Sequence, residues 1–154
     1  MQLATLCYID NGTSYLLLHR HKKKHDVHQG KWIGVGGKVE RGETPEECIK
    51  REVLEETGLV LNNPKLNGVI TFPNFDGVKD WYVFVFTATT FSGNLIESDE
   101  GSLEWVPYEK VREKPTWEGD LLFLDWLLNK KPFFSAKMEY NNGRLAHHHV
   151  LFYE

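Results

Sequence analysis

The stretch Thr44–Gly58, TPEECIKREVLEETG, carries a start and a stop signal for one helix. Thr44 can accept a hydrogen bond from a free backbone N–H, and Glu47, three residues on, can reach back to the cap. Pro45 falls at the first helical position, where its missing N–H costs nothing. Gly58 suits the left-handed conformation that ends a helix. The spacing therefore predicts a helix over Pro45–Thr57. At 100° per residue, Glu52, Glu55 and Glu56 share an arc of about 100°. Ile49 and Val53 lie beside that arc and can anchor the helix to a core. Cys48, one turn before Glu52, reads as a small buried residue.

Three carboxylates on one side of a helix repel one another unless something compensates. Water is one answer, and the helix is then an ordinary solvated face. A divalent cation is the other. Two features favour the cation: Gly36-Gly37 lets a backbone approach a ligand closely, and Arg51 is placed to brace Glu55 four residues on. All-oxygen donors suit Mg²⁺ or Mn²⁺ rather than Zn²⁺, and Mg²⁺ is commonly completed by substrate phosphates. On the residues alone, a metal-dependent phosphate site and a solvated helix both stand.

The rest of the chain fits a layered α/β (α+β) domain. Leu3–Ile9 and Tyr15–Leu18 read as strands joined at Asp10-Asn11-Gly12. Gly68–Phe72, Trp81–Thr90 and Leu103–Val106 follow. In Trp81–Thr90 both faces are apolar, as in a strand covered on both sides. Leu121, Leu124 and Leu128 mark a second helix over Asp120–Asn129. Phe133–Tyr140 and Leu145–Phe152 flank Asn141-Asn142-Gly143 as a last hairpin. With 154 residues and 41% apolar content, one domain over 1–154 with its own core is expected.

Function classes narrow in the same way. The net charge of −4 argues against a stable nucleic-acid partner. No apolar run approaches the roughly 18–20 residues that span a bilayer, and the first residues carry no export signal. Two cysteines are no disulfide framework, so a cytoplasmic, reducing setting is expected. The basic run His19–His28, HRHKKKHDVH, is either a solvated loop or an anion-facing one. His147-His148-His149 reads as strand surface rather than a metal site, since neighbours on a strand face opposite ways.

Gly37, Glu43 and Arg51-Glu52-Val53-Leu54-Glu55-Glu56-Thr57-Gly58-Leu59 match the Nudix box GX5EX7REUXEEXGU at all nine of its defined positions. The chain thus resembles the Nudix hydrolases. That resemblance implies a mixed β-sheet sandwiched between α-helices and Mg²⁺-dependent hydrolysis of nucleoside diphosphate derivatives. It implies metal ligation by Glu52, Glu55, Glu56 and the Gly36 carbonyl, with Arg51 and Glu43 orienting the helix. Glu56 or Glu100 would take the proton from water, and Glu100 would also reach the metal. Without the resemblance, Glu100 is a solvated loop carboxylate.

Beyond the box, Gly30–Val39, Glu97–Glu100 and Trp117–Asp120 are similar to the MutT and MutX type of oxidised purine nucleoside triphosphatase. That likeness implies a nucleoside triphosphate as substrate and conversion of 8-oxo-dGTP to 8-oxo-dGMP plus pyrophosphate. It places Lys23 near the phosphates and Trp117 and Asp120 at the base, with Phe72, Trp81 and Ile33 lining the same pocket. Each has a plainer reading. Lys23 can belong to a solvated loop, Trp117, Phe72 and Trp81 to the core, and Asp120 can N-cap the second helix. Ile33 stands where mammalian relatives have Asn, Gly119 where they have a second Asp, and Tyr8 where they have Thr. Two rivals remain: a Nudix hydrolase of ADP-ribose or a dinucleoside polyphosphate, and a Nudix module that binds a nucleotide without cleaving it.

Overall fold

Alternation along the first two strands decides the architecture. The computed structural model describes residues 1–154. In β1 (Gln2–Asp10), Cys7 and Ile9 enter one apolar cluster and Tyr8 the opposite one. In β2 (Ser14–Arg20), Leu16 joins the first and Tyr15 and Leu17 the second. Side chains two apart share a face, so one sheet has a core on each side. The chain continues through β3 (Trp32–Ile33), β4 (Val35–Lys38), α1 (Pro45–Thr57), β5 (Val60–Leu61), β6 (Lys65–Phe72) and β7 (Trp81–Ala88). Then come β8 (Phe91–Ser92), β9 (Gly101–Pro107), a 3₁₀ turn at Tyr108–Glu113, α2 (Glu118–Leu128), β10 (Phe134–Asn141) and β11 (Arg144–Phe152). Ile49 and Val53 of α1 cover one face; Phe123, Leu124 and Leu127 of α2 cover the other. The expected mixed sheet between helices is what forms.

The main sheet runs β11-β10-β6-β7-β1-β2-β3, with β4 beside β1 and β9 beside β2. β1 is parallel to β7, and β10 is parallel to β6. β7 is interior, as its two apolar faces predict: Val85 points to the α2 side and Phe86 to the α1 side. The β1–β2 hairpin exists, but only Ile9–Leu16 and Asp10–Tyr15 pair; β2 runs mainly along β9. The last hairpin turns through Asn142 (φ 52°) and Gly143 (φ 78°), as the Asn-Gly signal requires. No helix is long and apolar enough to cross a membrane.

Two expectations for α2 need correction. The helix begins at Glu118, with Trp117 as N-cap, so Asp120 is not the cap. Its backbone N–H donates to Trp117 O at 3.0 Å. The buried face carries Asp120, Phe123, Leu124 and Leu127, with Leu121 and Leu128 half-exposed. A carboxyl was thereby placed on the core side, a position that apolar spacing cannot reveal.

Candidate functional site

The charged helix is built as its sequence predicts. Thr44 Oγ1 accepts from Glu47 N at 3.0 Å, and Glu47 Oε1 accepts from Thr44 N at 2.9 Å. Gly58 closes the other end at φ 80°. Arg51 holds Glu43 with two hydrogen bonds, at 2.7 and 3.0 Å, and drives that carboxyl's pKa down to about 2. The same guanidinium donates to Glu52 (2.7 Å), Glu55 (3.3 Å) and the Lys38 carbonyl (3.1 Å). It therefore ties the helix to β4 and gathers four carboxylates, these three and Glu40 at 3.2 Å, not Glu55 alone. Cys48 is buried with its Sγ 3.2 Å from Thr5 Oγ1, as a packing residue.

The paired glycines have distinct duties. A Cβ on Gly36 would stand 2.0 Å from the Thr5 carbonyl on β1. A Cβ on Gly37 would meet the Glu52 carboxylate at 2.4–2.7 Å. Gly36 permits strand pairing, and Gly37 leaves room for Glu52 to lie against the backbone. Glu56 turns the other way, accepting from Ser98 Oγ at 3.1 Å and sharing a hydrogen bond with Glu100. Burial, then Glu100, pushes Glu56 up to about 7. Burial also pushes Glu100 upward, but hydrogen bonds from Glu56 and Lys23 and the charge of Arg20 bring it below the ordinary value. Lys23 Nζ lies 2.7 Å and Arg20 3.4 Å from Glu100.

In this conformation no three His, Cys, Asp or Glu side chains converge tightly enough to hold a metal ion. Glu52 and Glu55 lean on Arg51, while Glu100 leans on Lys23 and Arg20. The donor chemistry still suits a hard cation, because only oxygens are offered. A half-buried Glu56 that keeps its proton for want of positive charge is the group such a cation would ionise.

One cavity of about 700 Å³ runs from this acidic end into the sheet. Gly36, Gly37, Glu52, Glu100 and Lys23 lie on its wall; Glu55, Glu56, Arg51 and Glu43 do not. At its far end are Ile33, Phe72, Trp81, Trp117 and Asp120. All of the expected base-pocket residues are thus brought together. Asp120 is buried, accepts from Thr116 Oγ1 at 3.1 Å, and is pushed by burial up to about 7. Trp81 is partly committed elsewhere: its Nε1–H donates to Asp76 at 2.9 Å. Tyr8 is core rather than wall, packed edge-on against Phe123 with centroids 5.9 Å apart. His147, His148 and His149 sit exposed on β11, on the strand surface as expected.

Among the wall residues that the sequence did not point to are three with aromatic rings, His28, Phe75 and Tyr140. Phase along β10 could have pointed to Tyr140, since Phe134, Ala136 and Met138 share its face of the strand. His28 and Phe75 lie in loops, where periodicity says nothing. Tyr140 also explains Gly119: its hydroxyl accepts from Gly119 N at 2.7 Å, and a Cβ on Gly119 would meet that hydroxyl at 2.6 Å and Met138 Sδ at 2.5 Å. No second acid fits there without displacing both.

Comparison with known proteins agrees with this geometry. The family model described as NUDIX domain matches residues 1–127. The chain is 33% identical to the uncharacterized Nudix hydrolase YvcI of Bacillus subtilis over 144 residues, covering 91% of this chain and 87% of that protein. It is 37% identical to the oxidized purine nucleoside triphosphate hydrolase of Danio rerio over 111 residues, 72% of this chain and 71% of that one. The crystal structure of a MutT protein from Bacillus halodurans superposes with a TM-score of 0.87 at 32% identity, covering 97% of both chains.

Proposed function

This chain belongs to the Nudix hydrolase family, and on that premise we propose that it hydrolyses oxidised purine nucleoside triphosphates, 8-oxo-dGTP to 8-oxo-dGMP and pyrophosphate. One observation carries the reading: a single cavity joins the acidic helix to an aromatic end floored by a buried carboxyl. Its volume of about 700 Å³ lies within the range of small-molecule sites.

Glu52, Glu56 and Glu100, with the Gly36 carbonyl, would hold Mg²⁺ or Mn²⁺, and Glu55 would act from the rim. When bound, such a cation neutralises phosphate charge and makes water more acidic. The chain's own groups supply the rest. Lys23 leaves Glu100 to pair with a phosphate. Glu56 or Glu100 takes the proton as water attacks the β-phosphorus, and the bond to the α-phosphate bridging oxygen breaks, releasing the monophosphate. Trp117 offers a π-face to the base. Asp120, protonated below about pH 7, can both donate to and accept from a purine edge, and Ile33, Phe72 and Trp81 complete the apolar wall.

The test is product analysis with purified protein and Mg²⁺ on 8-oxo-dGTP, dGTP, ADP-ribose and a diadenosine polyphosphate at low concentration. Preferred release of 8-oxo-dGMP and pyrophosphate is expected. A different preferred nucleotide would retain the acidic end and overturn the base assignment. That rival has an observation behind it: Ile33 and Gly119 add no polar side-chain atom beside Asp120, and sites poor in hydrogen bonds discriminate weakly. Turnover of none by folded protein would favour a nucleotide-binding module.

A further inference from the structure

The basic loop after β2 contributes more than charge. Its residue His28 is half-buried, and its Nδ1 accepts the indole Nε1–H of Trp117 at 2.8 Å, 89 positions along the chain. The rings meet edge to face at 88°, with centroids 5.9 Å apart, and His28 also lies at 28° to Phe75. The backbone that carries the imidazole is held: the His28 N–H donates to Asp26 Oδ1 at 3.2 Å, and Asp26 pairs with Arg20 at 2.9 Å. Accepting at Nδ1 requires the tautomer with its proton on Nε2. Burial, with Arg20 nearby, pushes His28 down to about 4, so the ring is neutral under ordinary conditions.

We infer that His28 is a positioning residue for base recognition: it fixes the Trp117 ring and takes up its only polar group. The inference rests on the reading that the aromatic end of the cavity takes a nucleobase. The loop holding Trp117 is otherwise secured at the backbone, by Trp32 N–H donating to Pro115 O at 2.8 Å, and by Lys114 over Trp32 at 4.4 Å. Those contacts place the chain but not the rotation of the indole. Phe75 and Tyr140 contact that ring at 64° and 77°, and Lys31 Nζ lies 4.6 Å over its centroid. With Nε1–H committed to His28, Trp117 presents only π surface, which any base can meet. Identity of the base is then left to Asp120, because Ile33 and Gly119 bring no polar side-chain atom.

The test compares His28→Asn with His28→Gln. Asn carries its acceptor at the δ position, where Nδ1 stands; Gln carries it one bond further out. The indole N–H signals of the ¹⁵N-labelled protein are recorded, with Trp117→Phe identifying one of them. His28→Asn is expected to leave that signal downfield and slow to exchange, and His28→Gln to shift it upfield and speed its exchange. In kinetics on whichever of 8-oxo-dGTP, dGTP and ADP-ribose the wild type turns over fastest, His28→Gln is expected to raise KM about tenfold, the scale of one buried hydrogen bond, with kcat nearly unchanged. His28→Asn is expected to stay within about twofold of wild type on the same grounds. An indole signal that ignores both substitutions overturns the inference, as does an equal fall in kcat for both. Failure of the oxidised-purine reading would show separately, as a wild-type preference for another nucleotide with the indole signal still answering to His28.

Discussion

The acidic helix and the aromatic pocket are two ends of one cavity, yet they are built in opposite ways. At the helix, Glu43, Arg51, Glu52, Glu55 and Glu56 come from 14 consecutive positions, Glu43 to Glu56, and the Arg51 guanidinium gathers three of the four carboxylates. In the pocket, His28, Phe75, Trp117, Asp120 and Tyr140 come from three loops, a helix and a strand. The first is a local arrangement set by helical geometry. The second exists only after the sheet, the second helix and the connecting loops have docked. Substitutions at the helix should therefore fall on rate, and substitutions in the pocket on affinity.

The sharpest break of that division is Glu56→Gln. It keeps the shape of a side chain already bonded to Ser98 and Glu100, so thermal stability should hold. Turnover should fall by about 100- to 10,000-fold, the range for loss of a positioned proton acceptor. Steady-state kinetics beside a melting curve decides it, and a near wild-type rate would remove Glu56 from the chemistry.

Gly37→Ala probes the same end less directly. The new methyl would stand 2.4 Å from the Glu52 carboxyl carbon, at the far end of a flexible side chain. Glu52 should swing away, and activity should drop by about 10- to 100-fold, the range for losing a supporting contact at a metal site. Gly36→Ala meets the rigid Thr5 carbonyl at 2.0 Å instead. It should cost stability first, by about 1–3 kcal/mol of overpacking. If both variants lost stability alike, Gly37 would be a strand residue and nothing more.

At the other end, Trp117→Ala should raise KM by about 5- to 150-fold, the equivalent of 1–3 kcal/mol of stacking, and spare kcat. A fall confined to kcat would erase the contrast between the two ends.

The sequence made these ends unequally legible, and for the same reason. Helix caps, a 3.6-residue period and box spacing all lie within one segment, so α1 was read to its last residue. Strands β1, β7, β10 and β11 were also legible, from long apolar or aromatic runs and from the turn signals that bound them. The short strands β3, β4, β5 and β8 carry too few residues for a period to show. Asp120 reads from sequence either as a base contact or as a helix cap, and its burial is not legible because carboxyls are seldom buried; that burial depends on Phe123 and Leu124 turning inward beside it. His28 sits in a loop whose lysines suggest solvent, and its role arises from a partner that no local pattern links to it.

His28 and Asp120, both near Trp117, should tilt stability with pH in opposite directions, which gives the smallest but most direct measure of the pocket. Asp120 is raised from 3.8 to about 7 by burial, eased by Thr116 and Lys31. The folded state keeps its proton where the unfolded chain has lost it, so this stabilisation is complete below about pH 4 and disappears as pH rises through about 7. His28 is lowered from 6.5 to about 4, in the company of Arg20, Asp26, Glu100 and Lys31. Here the unfolded chain binds the extra proton, so stability is lost as pH falls from about 6.5 toward about 4. At 1.36 kcal/mol per pKa unit, each group accounts for a few kcal/mol, about 4 for Asp120 and about 3 for His28. The two largely offset one another in the wild type between about pH 4 and 6.5. Urea unfolding across that range should show Asp120→Asn gaining on wild type as pH rises, and His28→Asn gaining on wild type as pH falls. Parallel curves for all three proteins would mean that neither group is as buried in solution as it is here, and the pocket would then be open to water rather than shaped for a base.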